Sequence, residues 1–107
     1  MDREWVWFDL WRIWDVIGGH FRSRQAFNEW GATWDPDFAI NSVRFGNSAN
    51  DPGLGDNRRH AMPDYRHRSV NGKVPPPMTV DEAVAFIRKL TLRWIEHHFD
   101  VKLRPQS

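Results

Sequence analysis

The sequence predicts a helix-dominated α+β fold, with an all-α fold as the alternative. In segment 3–17 most charged residues gather on one side when the chain is wound as a helix, and in segment 80–98 apolar residues recur every three or four positions. A shorter segment, 38–45, carries Phe, Ile and Val, which favour strands, in imperfect alternation. Seven Trp and seven Phe among 107 residues supply enough aromatic surface for one core, so we expect a single domain over 1–107.

The first segment, 3–17, is predicted to form a helix. When it is wound at ~100° per residue, its charged residues Asp9, Arg12 and Asp15 gather on one side. Two glycines follow directly and are available to end the helix. A strand over residues 4–8 is the alternative, because Trp and Val also suit a pleated surface.

This first helix is too apolar for an ordinary surface helix. Trp5 and Phe8 fall on or beside the polar stripe, where their rings would be wet in a monomer. One interpretation is a central helix packed on several sides, and the other is a helix whose second face is buried in a partner subunit. Trp is enriched at interface centres, and two-fold contacts are the commonest arrangement. We therefore expect a homodimer with Trp5 or Phe8 near the centre of its interface.

A second, shorter helix is predicted over 23–31. Ser23 suits its N-cap, its two aromatic residues lie three positions apart, and Gly31 offers a stop. The chain is then expected to turn around Pro36, because proline disfavours helix at the residue before it. The 38–45 strand would follow this turn.

The segment 46–78 differs from the rest of the chain in composition. It contains four glycines, five prolines and four asparagines. A stretch of this length without regular structure is uncommon in a compact domain, and it is typically a functional loop or a mobile segment. Inside it, Asn71-Gly72 favours a type I′ turn, so a short hairpin is predicted over 69–74.

The last helix is predicted over 80–98. Thr79 and Glu82 have the spacing of a capping box, in which each side chain accepts a hydrogen bond from the backbone of the other residue. Apolar residues then recur every three or four positions to the end of the helix. The residues that follow, 100–104, are expected to form a short edge strand or a tail.

Composition excludes several classes of protein. The chain has no cysteine, which rules out disulfides, thiolate catalysis and Cys-based zinc sites. Its first residues are acidic and its first apolar run is interrupted by charges, so no secretory signal is predicted. No run approaches the ~18 apolar residues of a membrane span. A net charge of +1 is too balanced to indicate a nucleic-acid or membrane partner. We expect a cytoplasmic protein without a cofactor.

The most distinctive side chains for chemistry lie in the 46–78 segment. Phosphate recognition combines clustered arginines with aromatic stacking, and a candidate ligand or partner site with both ingredients comprises Arg58, Arg59, Tyr65, Arg66 and Arg68. Imidazole and carboxylate suit Zn²⁺ or Mn²⁺, and a candidate metal set comprises His60, Asp64 and His67. The segment nets only +2 and the metal spacing matches no known motif, so solvated loop residues are the plainer interpretation of both sets.

These observations predict a small, non-enzymatic binding or protein-interaction domain. It would be homo-oligomeric and act through its aromatic surface and the 46–78 segment on an unknown protein or small-molecule ligand. A nucleic-acid-associated accessory protein that uses the arginine-rich loop is the alternative, and a small metal-dependent hydrolase is the second alternative. No catalytic residue is predicted, because no paired carboxylates in the sequence have a companion nucleophile.

Overall fold

The computed structural model describes residues 3–50 and 67–99, with side chains from Val6 onward. Across these two ranges the chain forms four helices and no strand. The helices are α1 (Arg3–Gly19), α2 (Arg24–Ala32), α3 (Phe38–Asn50) and α4 (Val80–Phe99). The all-α alternative therefore fits the described residues, whereas the prediction of three helices with a minor strand component is wrong.

The first helix forms as predicted and extends through both glycines to Gly19. The alternative of a strand over residues 4–8 is wrong, because these residues lie inside α1. The buried residues of α1 are spaced three and four positions apart, which makes one continuous stripe along the helix: Trp7, Leu10, Trp14 and Ile17. The charged residues that gathered on the opposite side of the predicted helix are exposed.

The second helix begins where its cap was predicted but does not stop at Gly31. Ser23 accepts a hydrogen bond of 3.0 Å through its hydroxyl from the backbone N–H of Ala26. The helix continues to Ala32, and Gly31 is buried against the ring of Phe38. A Cβ at position 31 would lie 2.2 Å from Cγ of Phe38, so glycine is required here for the close approach of the α2 backbone to that ring.

The predicted strand over 38–45 is wrong, since these residues open α3. The carboxylate of Asp35 accepts hydrogen bonds of 3.0 Å from the backbone N–H of Asp37 and from the side-chain amide of Asn41. The bond to the N–H of Asp37 makes an Asx turn directly before α3, and Pro36 lies within this turn. The alternation in 38–45 is imperfect because the true spacing is helical, with buried residues at Phe38, Ser42, Phe45 and Ala49. The helix also takes in residues 46–50, which the sequence assigned to the loop.

The predicted turn at Asn71-Gly72 forms, but it does not extend into strands. Val70 and Lys73 exchange two backbone hydrogen bonds of 2.7 and 3.1 Å. The φ angles of Asn71 and Gly72 are 53° and 79°, as a type I′ turn requires. Within residues 3–50 and 67–99 this antiparallel bridge is the only β-pairing, so residues 69–74 form a turn without the paired strands of the predicted hairpin. The predicted strand over 100–104 lies outside the described residues.

The last helix is confirmed together with its capping box. The hydroxyl of Thr79 accepts from the backbone N–H of Glu82 at 3.1 Å, and the carboxylate of Glu82 accepts from the backbone N–H of Thr79 at 3.0 Å. The helix buries one stripe of residues, namely Ala83, Phe86, Ile87 and Leu90. Neither this helix nor any other in the described ranges combines the length and the apolar character needed to cross a membrane.

The core is centred on Trp14 of α1. Its ring centroid lies 4.9 Å from that of Phe27 in α2, 6.2 and 5.4 Å from those of Phe38 and Phe45 in α3, and 5.9 Å from that of Phe86 in α4. These are the separations of favourable aromatic pairs. One indole therefore contacts every other helix.

Replacing Gly31 by alanine is expected to destabilise the protein by about 1–3 kcal/mol, because the new methyl group overlaps the ring of Phe38 and must push α2 away from α3. The matched control is Gly46→Ala, also inside a helix, where a Cβ meets nothing within 4 Å. That change is expected to stabilise the protein by about 0.5–1 kcal/mol, since alanine is the better helix former. Urea denaturation measures the change in the free energy of unfolding for each variant. Equal changes in the two variants would contradict the close approach of α2 to Phe38.

Replacing Thr79 by alanine is expected to cost about 0.5–2 kcal/mol of stability, because the backbone N–H of Glu82 loses its side-chain acceptor. Thr79→Ser keeps the hydroxyl and is the control, with a loss well below that of the alanine variant. The denaturation midpoints of the three proteins provide the comparison. An unchanged midpoint for Thr79→Ala would mean that the cap contributes nothing to the start of α4.

Candidate functional site

Most of the candidate loop residues fall outside the described part of the chain. These are Arg58, Arg59, His60, Asp64, Tyr65 and Arg66. Of the two predicted sets, only His67 and Arg68 are described, and both are exposed. The ligand and metal assignments of the loop therefore stay predictions. Within residues 3–50 and 67–99, no group of three or more His, Asp or Glu side chains is arranged to hold a metal ion.

The end of the loop nearest α4 is fastened to α3. The side-chain amide of Asn47 donates a 3.0 Å hydrogen bond to the backbone carbonyl of Arg68 and accepts one of 2.9 Å from its backbone N–H. The hydroxyl of Ser48 accepts a 2.7 Å bond from the backbone N–H of Met78. Both α3 side chains are buried, so they satisfy loop backbone groups where water has little access.

Arg44 makes the third attachment of this segment to α3. Its guanidinium donates to the carbonyl oxygens of Pro76 and Pro77 at 2.9 and 3.2 Å, and to the carboxylate of Glu82 at 3.0 Å. The backbone N–H of Thr79, and after it the guanidinium of Arg44, hold the pKa of Glu82 below its usual value. One arginine thus connects α3, the proline run and the first turn of α4.

An apolar groove runs along the surface between α1 and α4. It encloses about 290 Å³ and is lined by Arg12, Ile13, Val16, Ile17, Thr91, Trp94 and Ile95. Ile13 and Val16 on α1 are 38% and 60% exposed, and Leu92 and Phe99 on α4 are 46% and 60% exposed. Both helices therefore leave large apolar side chains facing water. Among the lining residues that the structure describes, only Arg12 is charged.

The two residues predicted for the centre of a dimer interface lie on α1. Phe8 is exposed, as its place beside the polar stripe predicts, and the guanidinium carbon of Arg12 lies 5.7 Å from the centroid of its ring. The side chain of Trp5 belongs to the part of α1 that is not described. Asp9 is exposed on the same helix, so an acid and a base lie one turn apart beside the groove.

Three exposed histidines lie among aromatic rings where α1 and α4 end. His20 and His98 both lie against Trp94, with ring centroids 5.0 and 4.8 Å away, and lie 5.6 Å from each other. His97 turns to the other side and stacks on Phe21 at 5.9 Å. This separation follows from the ~100° between neighbouring residues on a helix. No sequence pattern predicts that His20 lies beside the end of α4.

A second, more polar crevice of about 290 Å³ lies between the end of α1 and the start of α2. Its lining comprises Trp14, Asp15, Gly18, Gly19, Phe21, Ser23, Arg24 and Phe27. The side chain of Arg24 is exposed by total area, but its guanidinium carbon lies 5.5 Å from the centroid of the buried Trp14 ring. Loss of hydration lowers the pKa of Arg24, and the charge of Arg68 lowers it further.

Sequence reasoning did not single out Arg24. The available signal was its place one turn before Phe27 on the same face of α2, which faces the core. This position on α2 predicts a contact between Arg24 and Trp14 only once Phe27 is known to pack on Trp14.

Comparisons of the chain with protein-family models, with curated proteins and with solved structures find no match. The apolar groove is therefore the feature of the described surface that bears most directly on function.

The stability of the protein is expected to depend on the ionisation of Glu82. A carboxylate whose pKa is lowered on folding stabilises the folded state above its usual pKa of 4.5, and that contribution is lost as the pH falls through the folded value. Glu82→Gln should therefore be less stable than the wild type at pH 7, and the two should converge as the pH falls below 4.5. Thermal denaturation between pH 7 and pH 3 tests this, and a difference that persists at pH 3 would contradict it.

Proposed function

We propose that this chain is a non-enzymatic interaction domain that forms a homodimer through the apolar groove and the exposed side chains of α1 and α4. The observation that carries the proposal is the groove itself, whose described lining residues are apolar apart from Arg12 and the hydroxyl of Thr91. Extended apolar patches on soluble proteins generally mark interaction sites, because leaving them in water is unfavourable.

Both helices that form the groove carry exposed apolar side chains. Val16 in the lining is 60% exposed, and Leu92 and Phe99 on α4 are exposed as well. Burying aliphatic and aromatic side chains of this size removes apolar area from water at about 25 cal/mol per Å². A partner with an apolar face of its own is therefore favoured over a polar one.

Charge complementarity favours a second copy of this chain as that partner. Two α1 helices related by a two-fold axis run antiparallel, and contacts between them occur in reciprocal pairs. In one such register, Asp9 of each copy faces Arg12 of the other, so the α1 surface is complementary to itself. The same register sets Phe8 opposite Ile13.

Position 5 also has a partner in this register, since it faces Val16 of the other copy. The arrangement therefore brings together the residues predicted for the interface, Trp5 and Phe8, and the exposed apolar residues of α1 described here. It retains the sequence-based expectation that Trp5 or Phe8 lies near the centre of the interface.

The apolar part of the proposal is tested by a matched pair of substitutions. Ile13 lines the groove and Ile40 lies on α3, and both are 38% exposed. Light scattering at about 100 μM is expected to give a dimer mass for the wild type and for Ile40→Glu, and a monomer mass for Ile13→Glu. Circular dichroism checks that both variants stay helical. A monomeric wild type, or equal masses for the two variants, would falsify the proposal.

The register is tested by exchanging charges. Asp9→Arg and Arg12→Asp each place two like-charged pairs across the two-fold axis, and each is expected to weaken dimerisation about three- to tenfold. The variant that carries both substitutions restores the opposite charges and should recover the dimerisation constant of the wild type. If the losses of dimerisation affinity add in the double variant, this register is excluded. The proposal that the groove forms the interface is then decided by the Ile13 variant.

A further inference from the structure

Two histidines from distant parts of the chain meet where α1 and α4 end. His20 directly follows α1, and His98 is the penultimate residue of α4. Their ring centroids lie 5.6 Å apart, and both side chains are exposed. Both rings lie against Trp94, and Phe99 meets His98 edge-on at 4.7 Å. Within the described ranges, no hydrogen bond or ion pair engages either imidazole, so the ring nitrogens are available to a ligand.

The place where these rings meet also favours a cation. The contacts between α1 and α4 advance along both helices together, from Trp14 with Phe86 to His20 with His98, so the two helices run in the same direction. Their C-terminal ends therefore lie side by side, and the unpaired carbonyl groups give each end about half a negative charge. The last turn of α1 contains no basic residue, and the basic residues in that of α4 are histidines.

We propose that His20 and His98 together bind one divalent transition-metal ion of the kind that prefers imidazole, such as Ni²⁺, Cu²⁺ or Zn²⁺. Both ligands come from one chain, and neither lines the apolar groove, so the site does not depend on dimer formation. Water fills the other coordination positions, because no third His, Asp or Glu of the described residues joins the pair.

The distance between the two rings suits a shared ion. A metal bound about 2.1 Å from a ring nitrogen lies about 3.2 Å from the centroid of that ring. Two imidazoles on one ion then have centroids about 5.2 Å apart at a tetrahedral angle, and about 6.4 Å apart on opposite sides of the ion. The observed 5.6 Å lies inside this range. The χ2 torsion of histidine is broad, so an exposed ring can turn a nitrogen toward the ion while its centroid stays in place.

His97 is the natural control for this pair. It is exposed and lies on the same turn of α4, but the ~100° between neighbouring residues on a helix directs it to the other side. There its ring lies 5.9 Å from that of Phe21 and 5.7 Å from that of Trp30. A general affinity of exposed histidines for metal ions would depend on His97 as much as on His98, whereas a shared site depends on His98 and His20.

The first test is isothermal titration calorimetry of the untagged chain with Ni²⁺ alone, in a non-coordinating buffer at pH 7.5. One ion per chain is expected. Two linked ligands exceed one by roughly 10²–10⁴ in affinity, so His20→Gln and His98→Gln should each weaken binding at least tenfold, and His97→Gln should leave it nearly unchanged. Equal losses in all three variants, or a wild-type dissociation constant above about 1 mM, would overturn the proposal.

Two further variants exclude other sources of the binding. His60→Gln removes a member of the metal set predicted in the 46–78 segment and is expected to bind Ni²⁺ as the wild type does. A loss in this variant but not in His20→Gln would assign the ion to that segment and overturn the proposal. Ile13→Glu changes the groove, and it too should bind one ion per chain. One ion per two wild-type chains, with binding lost in Ile13→Glu, would mean that the site needs a second copy and would overturn the assignment to one chain.

Thermal denaturation supplies a second readout, because an ion shared by His20 and His98 joins the ends of two helices and loses one of its ligands when they separate. At ten times the dissociation constant, Ni²⁺ should raise the wild-type Tm by about 5 °C and leave that of His98→Gln nearly unchanged. Mg²⁺ prefers oxygen ligands and is expected to have no such effect. The same rise with both ions, or the same rise in His98→Gln, would overturn the proposal.

Discussion

The indole of Trp14 packs against rings from each of the other three helices, and the relative positions of those helices depend on it. Aromatic pairs at these distances add about 0.5–1.5 kcal/mol each to the burial of apolar area. The arrangement also requires that Phe38 reach the centre, which it does because Gly31 allows it to lie against the backbone of α2. The same indole presents one face to Arg24, so the centre of the core is also a wall of the polar crevice. Core and candidate site therefore share a side chain.

The parts of the fold that the sequence predicted are those that local chemistry determines. Thr79 and Glu82 mark the start of α4 by reciprocal hydrogen bonds between neighbours, and the gathering of charged residues on one side of a helical wheel predicted α1. The helix α3 was missed because its start, Asp35-Pro36, has the same residues as a β-turn. A helix differs from a β-turn here because buried residues continue into positions 46–50, where small polar side chains face the core. A hydrophobicity pattern does not identify Asn47 and Ser48 as buried, because their burial depends on hydrogen bonds to the backbone of Arg68 and Met78.

The candidate surfaces were predictable only in part, for a related reason. Exposure of Phe8 followed from the helical wheel of one segment. The groove, in contrast, combines Ile13 with Ile95 from helices that are distant in sequence, and no pattern within either helix announces their proximity. Likewise, Arg24 becomes distinctive only through its contact with Trp14. A surface formed by residues that are distant in sequence can be identified only from the tertiary structure.

The attachments made by α3 have a consequence for how this protein can evolve. Arg44 and Glu82 are separated by 38 positions in sequence, yet one side chain joins them, and Asn47 holds the backbone of Arg68 directly. The segment 68–78, which leads into α4, is thus bound to α3. A substitution at Arg44, Asn47 or Ser48 would therefore disturb two parts of the chain at once, because each side chain holds backbone groups of residues 68–78. These three positions should tolerate less change than the exposed positions of α3.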